Sequence, residues 1–266
     1  MTIVVVVPLL LAVAVWGPPW GWAALVGGAL AIAGGECVTL LSRKARTGWA
    51  WIGGMGSFGA GAALYLRSGS PPGTMALQIL ALLSAAALLI SALRSFVSDL
   101  RRGTMFRAVV SVLFAALYCG LLPAHLALLR RDAGSAWALF ALAVAWGGDV
   151  GGYLVGKVVG GPRLAPRISP SKTIAGAIAS LVTAAVIGIL FAMQAQTGVS
   201  TSRIVLIAVV AGLLSQIGDL AESHLKRRCG AKDSGGVIAG HGGMLDCIDG
   251  LILAAPWLYY AHRHLG

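Results

Sequence analysis

The chain has 266 residues, of which 58% are hydrophobic and 11% charged, with a formal net charge of +11. A soluble domain carries about a quarter charged residues, so this composition, with a mean hydropathy of +0.87, excludes a water-soluble globule. The basic excess fits loops that face anionic headgroups; no nucleic-acid module is visible, so nucleic acid is not an expected partner. The predicted fold is all-α, a polytopic integral membrane protein with about nine transmembrane helices. Their apolar cores are Ile3–Trp16, Trp20–Leu41, Trp49–Leu66, Met75–Leu93, Met105–Leu128, Ala136–Val155, Thr173–Met193, Arg203–Ile217 and Ile248–Tyr260. The first run lacks a basic leader and a small-residue cleavage site, so it reads as a retained helix.

Charge sets the expected orientation. With the N-terminus cytoplasmic, 15 of the 20 Lys and Arg residues fall on the inner side and 5 (Arg67, Arg130, Arg131, Arg203 and Arg263) on the other, as the positive-inside rule requires. The two long polar loops, 156–172 and 218–247, then share the cytoplasmic face, separated only by a pair of helices. Two regions are expected: residues 1–133, lipid-facing and packing helices, and residues 134–266, which carry both loops and the chemistry. The paired glycines at 27–28, 34–35 and 53–54 predict close helix packing, and glycine-rich helices are compatible with a homodimer. The cysteines Cys37, Cys119, Cys229 and Cys247 are scattered, without zinc or disulfide spacing.

Polar residues inside such a chain carry the functional signal. Glu36 interrupts the second helix; it is either an internal hydrogen-bonding residue or part of a headgroup cavity. Asp149 lies near the inner end of its helix. In the following loop, Pro162, Pro166 and Pro170 exclude a continuous helix. Ser169, Ser171, Lys172 and Thr173 then precede an apolar helix, an arrangement suited to binding an anion or to ordinary capping. Asp219, Glu222 and Lys226 are spaced to share one helix face, either as a metal carboxylate site or as a helix-end ion pair. Asp246 and Asp249 also share a face, after the glycine-rich GHGG turn at 240–243. Two carboxylates beside a backbone that can approach phosphate fit a divalent cation, with Mg²⁺ expected.

The stretch SHLKRR, followed by KDS and by GHGGMLD with Asp249, resembles the signature of the phosphatidate cytidylyltransferases, the CDP-diacylglycerol synthases. The residues that carry it are Ser223, Leu225, Lys226, Arg227, Lys232, Asp233, His241, Gly242, Gly243, Asp246 and Asp249. Asp149, Gly151 and Tyr153, followed by LAPRISPSKT, extend the likeness upstream. Before Asp149 only hydropathy and length agree. Cys247 stands where the family usually has arginine, Ala175 where it has glutamate, and Ala239 where it often has proline.

The resemblance implies cytidylyl transfer from CTP to phosphatidate in the inner membrane, giving CDP-diacylglycerol and pyrophosphate at the cytoplasmic face. It implies Asp219, Asp246 and Asp249 as ligands of Mg²⁺, with room for a second monovalent or divalent cation. Lys226 and His241 join these three aspartates in the catalytic set. Asp149, Ser169, Ser171, Lys172, Arg227, Lys232, Asp233, Gly242 and Gly243 would bind substrate. The competing expectations are a CTP-dependent enzyme or kinase acting on an ether-lipid or polyprenol phosphate, a non-catalytic homologue, and a transporter.

Overall fold

The computed structural model describes residues 2–42, 47–67, 105–195, 198–238 and 242–265. The predicted span Met75–Leu93 lies outside them. The described chain is almost wholly helical: α1 (Thr2–Trp16), α2 (Pro19–Leu41), α3 (Thr47–Arg67), α4 (Met105–Ala115), α5 (His125–Ala133), α6 (Ser135–Val159), α7 (Ile174–Gln194), α8 (Thr201–Arg228) and α9 (Met244–Leu265). Five helical stretches are long and apolar enough to cross a membrane: 19–41, 106–133, 135–159, 174–194 and 201–228. The protein is thus an integral membrane protein.

Three boundaries differ from the hydropathy reading. The predicted span at 105–128 extends to Ala133 and contains a π-helical segment, Ala116–Leu121, between α4 and α5. Helix α8 continues past Ile217 to Arg228, and α9 begins at Met244 rather than Ile248. The α8 extension consists of polar helical turns that a hydropathy window discards, and the α9 extension is the single turn Met244–Cys247, interrupted by Asp246. The fold is all-α, as expected, with one short addition. The loop after α6 holds a two-stranded antiparallel hairpin, β1 (Arg163–Ala165) and β2 (Ser169–Thr173), with Arg163 opposite Thr173 and Ala165 opposite Ser169. The prolines that forbid helix here are tolerated at the edge of so short a ribbon.

Helices pack in chain order, α2 on α3, α6 on α7, α7 on α8 and α8 on α9. Helix α9 also touches α2, α5 and α6, so it sits at the centre. Small residues permit the close crossings. A Cβ at Gly34 would strike Ser57 and the Gly53 carbonyl across the α2–α3 contact, and one at Gly218 would strike the Asp249 carbonyl across α8–α9. Tryptophan indoles then tie helices through hydrogen bonds: Trp22 to the Leu126 carbonyl at 3.2 Å, Trp146 to Cys247 at 3.3 Å and Trp257 to Ile207 at 3.0 Å. One face of α7, including Ile178, Val182, Val186 and Met193, is exposed and wholly apolar. Lipid satisfies such a face and water does not.

Two polar ends flank α9. At one, the Tyr259 hydroxyl donates to Asp132 at 3.0 Å, and Arg130 donates to the Ala14 and Gly17 carbonyls at the end of α1. At the other lie Asp246 and its partners. At 1.5 Å per residue, Asp246 and Tyr259 are separated by roughly 20 Å along the helix.

Candidate active site

The hairpin brings its cation to α8. Thr173 caps α7, its hydroxyl accepting the Gly176 N–H at 3.1 Å, so capping belongs to Thr173 while Ser169 and Ser171 lie on β2. Lys172, one position earlier, is ion-paired to Asp219 on α8. Asp219 also accepts from the Ser223 hydroxyl at 3.3 Å. Arg227 donates to the Ile168 carbonyl at 3.3 Å and so anchors the tip of the hairpin to the same helix. Ser169 and Ser171 are therefore presented on a ribbon pinned to α8 at two points.

Lys226 is the second cation. Its Nζ is 2.5 Å from Glu222 Oε2 and 2.5 Å from Asp246 Oδ1, so it bridges α8 and α9. Glu222 is fully buried, and neither of its oxygens accepts a well-aligned hydrogen bond. The other oxygen of Asp246 is saturated: it accepts from the Ser234 N–H at 3.0 Å, the Ser234 hydroxyl at 2.9 Å and the Gly243 N–H at 2.7 Å. Asp246 precedes the apolar run that begins at Ile248. Burial pushes its carboxyl up, but the Lys226 ammonium, the two N–H groups and the serine hydroxyl outweigh burial and hold it below the usual carboxylate range. Gly242 has a left-handed φ of 87°, and a Cβ there would run into the Asp246 carboxylate.

Asp249, one turn further along α9, is buried, and its Oδ1 accepts the Gly250 N–H at 2.6 Å. It lies within electrostatic reach of Asp219, Glu222 and Asp149. Asp149, on α6, is in turn within reach of Asp219 and Lys172. Acidic side chains from α6, α8 and α9 thus share one neighbourhood. Among the described residues no group of three or more His, Cys, Asp or Glu side chains is arranged to hold a metal ion. Asp219 and Asp249 on facing helices fit instead the Mg²⁺ pattern of one or two carboxylates completed by substrate phosphates and water.

A model of the cytidylyltransferase family matches residues 1–265. The chain belongs to the cytidylyltransferase family. It is similar to the phosphatidate cytidylyltransferase of Brucella suis, 38% identical over 144 residues that make up 53% of each chain. The phosphatidate cytidylyltransferase of Bacillus subtilis is 32% identical over 157 residues, 58% of each chain. That of Synechocystis is 32% identical over 122 residues, 46% of this chain and 41% of the relative. The matched stretches span about half the length of these relatives.

The remaining expected residues are placed less tightly. Lys232 and Asp233 are exposed in the turn after α8. His241 lies outside the described residues, as does Ala239. Three participants carry little local signal. Ser234 links Asp246 to Glu36 of α2, its hydroxyl lying 3.3 Å from Glu36 Oε2. Glu36 Oε2 also accepts the Leu245 N–H at 2.9 Å, which favours the internal hydrogen-bonding reading of that residue. Tyr118, in the π-helical segment, lies within electrostatic reach of Asp249 and Glu222, with its hydroxyl buried and without a hydrogen-bond partner. Its one available clue is the break in the helix, since π-bulges often mark functional positions.

Proposed function

We propose that this protein transfers a cytidylyl group from CTP to phosphatidate, releasing pyrophosphate and CDP-diacylglycerol. The observation that carries the reading is the pairing of Lys172 and Lys226, from separate segments, with Asp219, Glu222 and Asp246 at one end of the helices. Family membership and the relatives support it. The excess of Lys and Arg in the loops on that side supports a cytoplasmic site, where CTP is available and phosphatidate enters from the leaflet.

In the proposed reaction a phosphatidate phosphate oxygen attacks the α-phosphorus of CTP in line, and the bond to the β-phosphate oxygen breaks. The nucleophile is already anionic, so the protein's task is positioning and charge neutralisation. Lys226 would exchange a carboxylate for phosphate oxygens, and Lys172, Ser169 and Ser171 would hold the triphosphate from the hairpin. Arg227, Lys232, Asp233 and the Gly242–Gly243 turn would border the nucleotide, with Asp149 on the α6 side. Asp219 and Asp249, joined by Asp246 once Lys226 leaves it, would hold Mg²⁺, which supplies Lewis-acid neutralisation of the phosphates. His241 is proposed to act on the leaving pyrophosphate, and the acidic surplus leaves room for a second cation.

Substrate choice is tested with purified protein, CTP and a panel of lipid phosphates: phosphatidate, an ether-lipid phosphate and a polyprenyl phosphate. Preferential formation of CDP-diacylglycerol is expected. A preference for either other lipid would redirect the assignment within the family.

A further inference from the structure

We infer that Glu36 is a positioning residue for this site, its carboxylate fixing Ser234 and the first turn of α9 and, through them, Asp246. The inference rests on the proposed function for its kinetic consequence only. Glu36 belongs to α2, far in sequence from the residues it meets, and is 9% exposed. Its Oε2 accepts the Leu245 N–H at 2.9 Å. Leu245 is the second residue of α9, and a helix leaves its first four N–H groups without intrahelical partners. Glu36 therefore acts as a side-chain cap supplied by another helix, where negative charge also favourably meets the helix dipole.

The same oxygen lies 3.3 Å from the Ser234 hydroxyl, which lies 2.9 Å from Asp246 Oδ2. One connected path thus runs from Glu36 through Ser234 to Asp246 and on to Lys226. The backbone at Gly235 and at Gly243 approaches the carboxylate closely, and a Cβ at either would collide with Glu36. Glu36 holds the frame and the aspartate does the work. The Leu245 N–H donates to Oε2, and the single Ser234 hydroxyl proton is shared between Oε2 and the nearer Asp246 Oδ2, so glutamine retains the needed acceptor, while alanine removes it.

The test uses full-length E36A, E36Q and S234A proteins in detergent, with two readouts. Hydrogen exchange of the 234–245 segment reads the loop in the resting protein. Steady-state transfer from CTP labelled at the α-phosphorus reads kcat and KM separately. In E36A, exchange of the segment should accelerate and kcat fall about 100-fold, the scale of a displaced catalytic group, with KM for CTP little changed. E36Q should keep the protection and most of kcat, and S234A should fall between. Wild-type exchange and kcat in E36A overturn the inference. So does an inactive E36Q with a fully protected loop, which would place the charge itself in the reaction. If E36A does not fold, E36Q and S234A decide: S234A with unaltered exchange and kcat is equally contrary. A wild-type protein that transfers no cytidylyl group defeats the functional reading, while the exchange comparison still tests Glu36.

Discussion

The Lys226 ammonium lies 2.5 Å from Asp246 Oδ1 and equally close to Glu222, so one cation serves two carboxylates from two helices. Without substrate, that arrangement balances charge. With a triphosphate present, the cation has a stronger attraction available. Removing it leaves a fully buried glutamate unpaired, which destabilises by about 3 kcal/mol. Lys226→Met should lower stability by this amount and abolish turnover. Adding Glu222→Gln should recover much of the stability, read by thermal unfolding in detergent, and none of the turnover. Recovery of both would make Lys226 purely structural.

Asp246→Ala should abolish cytidylyl transfer while leaving membrane insertion intact. Its loss strands the Ser234 and Gly243 donors, at about 1–3 kcal/mol. Because the folded carboxyl titrates below its ordinary value, its contribution is complete above that value and fades as pH falls through the folded one. Unfolding measured from pH 6 down to pH 3 should therefore show an acid-side loss of stability that Asp246→Asn lacks. Normal turnover in the alanine variant would remove Asp246 from the reaction.

Lys172 is partly exposed and its partner Asp219 stands at the polar end of α8. Lys172→Ala should raise KM for CTP about tenfold, the loss of a single charge-assisted contact, with a small effect on stability. Asp219→Asn should lower kcat instead. The split between the two constants checks the assignment of one residue to phosphate and the other to the cation.

Cys247 sits between Asp246 and Asp249, with its carbonyl bonded to Trp146. The backbone contact survives substitution, and the surroundings are acidic, with Asp246, Asp249 and Glu36 all in reach. Cys247→Arg should raise kcat several-fold by adding a cation where phosphate charge gathers. An unchanged or lower kcat would show that the chain has adapted to the neutral side chain.

The placement of these residues is legible in the sequence where they recur at helical spacing or follow glycine. Asp219, Glu222 and Lys226 do share one face of α8, as spacing three and four apart requires. That spacing carries the helix past the apolar run ending at Ile217 and up to Arg228, because polar turns end a hydropathy run without ending a helix. The hairpin escaped notice because SPSKT lacks the alternation of a half-buried strand, and its partner β1 is only three residues long. Glu36 was visible as an anomaly, but its role was not. Ser234 and Leu245 lie 198 and 209 positions away, and nothing local encodes such a pairing.

The most direct test follows the phosphorus. Purified protein is given phosphatidate, Mg²⁺ and CTP labelled in parallel at the α- or the γ-phosphorus. Label from the α-position should appear in the lipid, in step with release of unlabelled pyrophosphate, and Lys226→Met should stop both. Transfer of the γ-label to lipid, or no lipid labelling from either position, would contradict cytidylyl transfer.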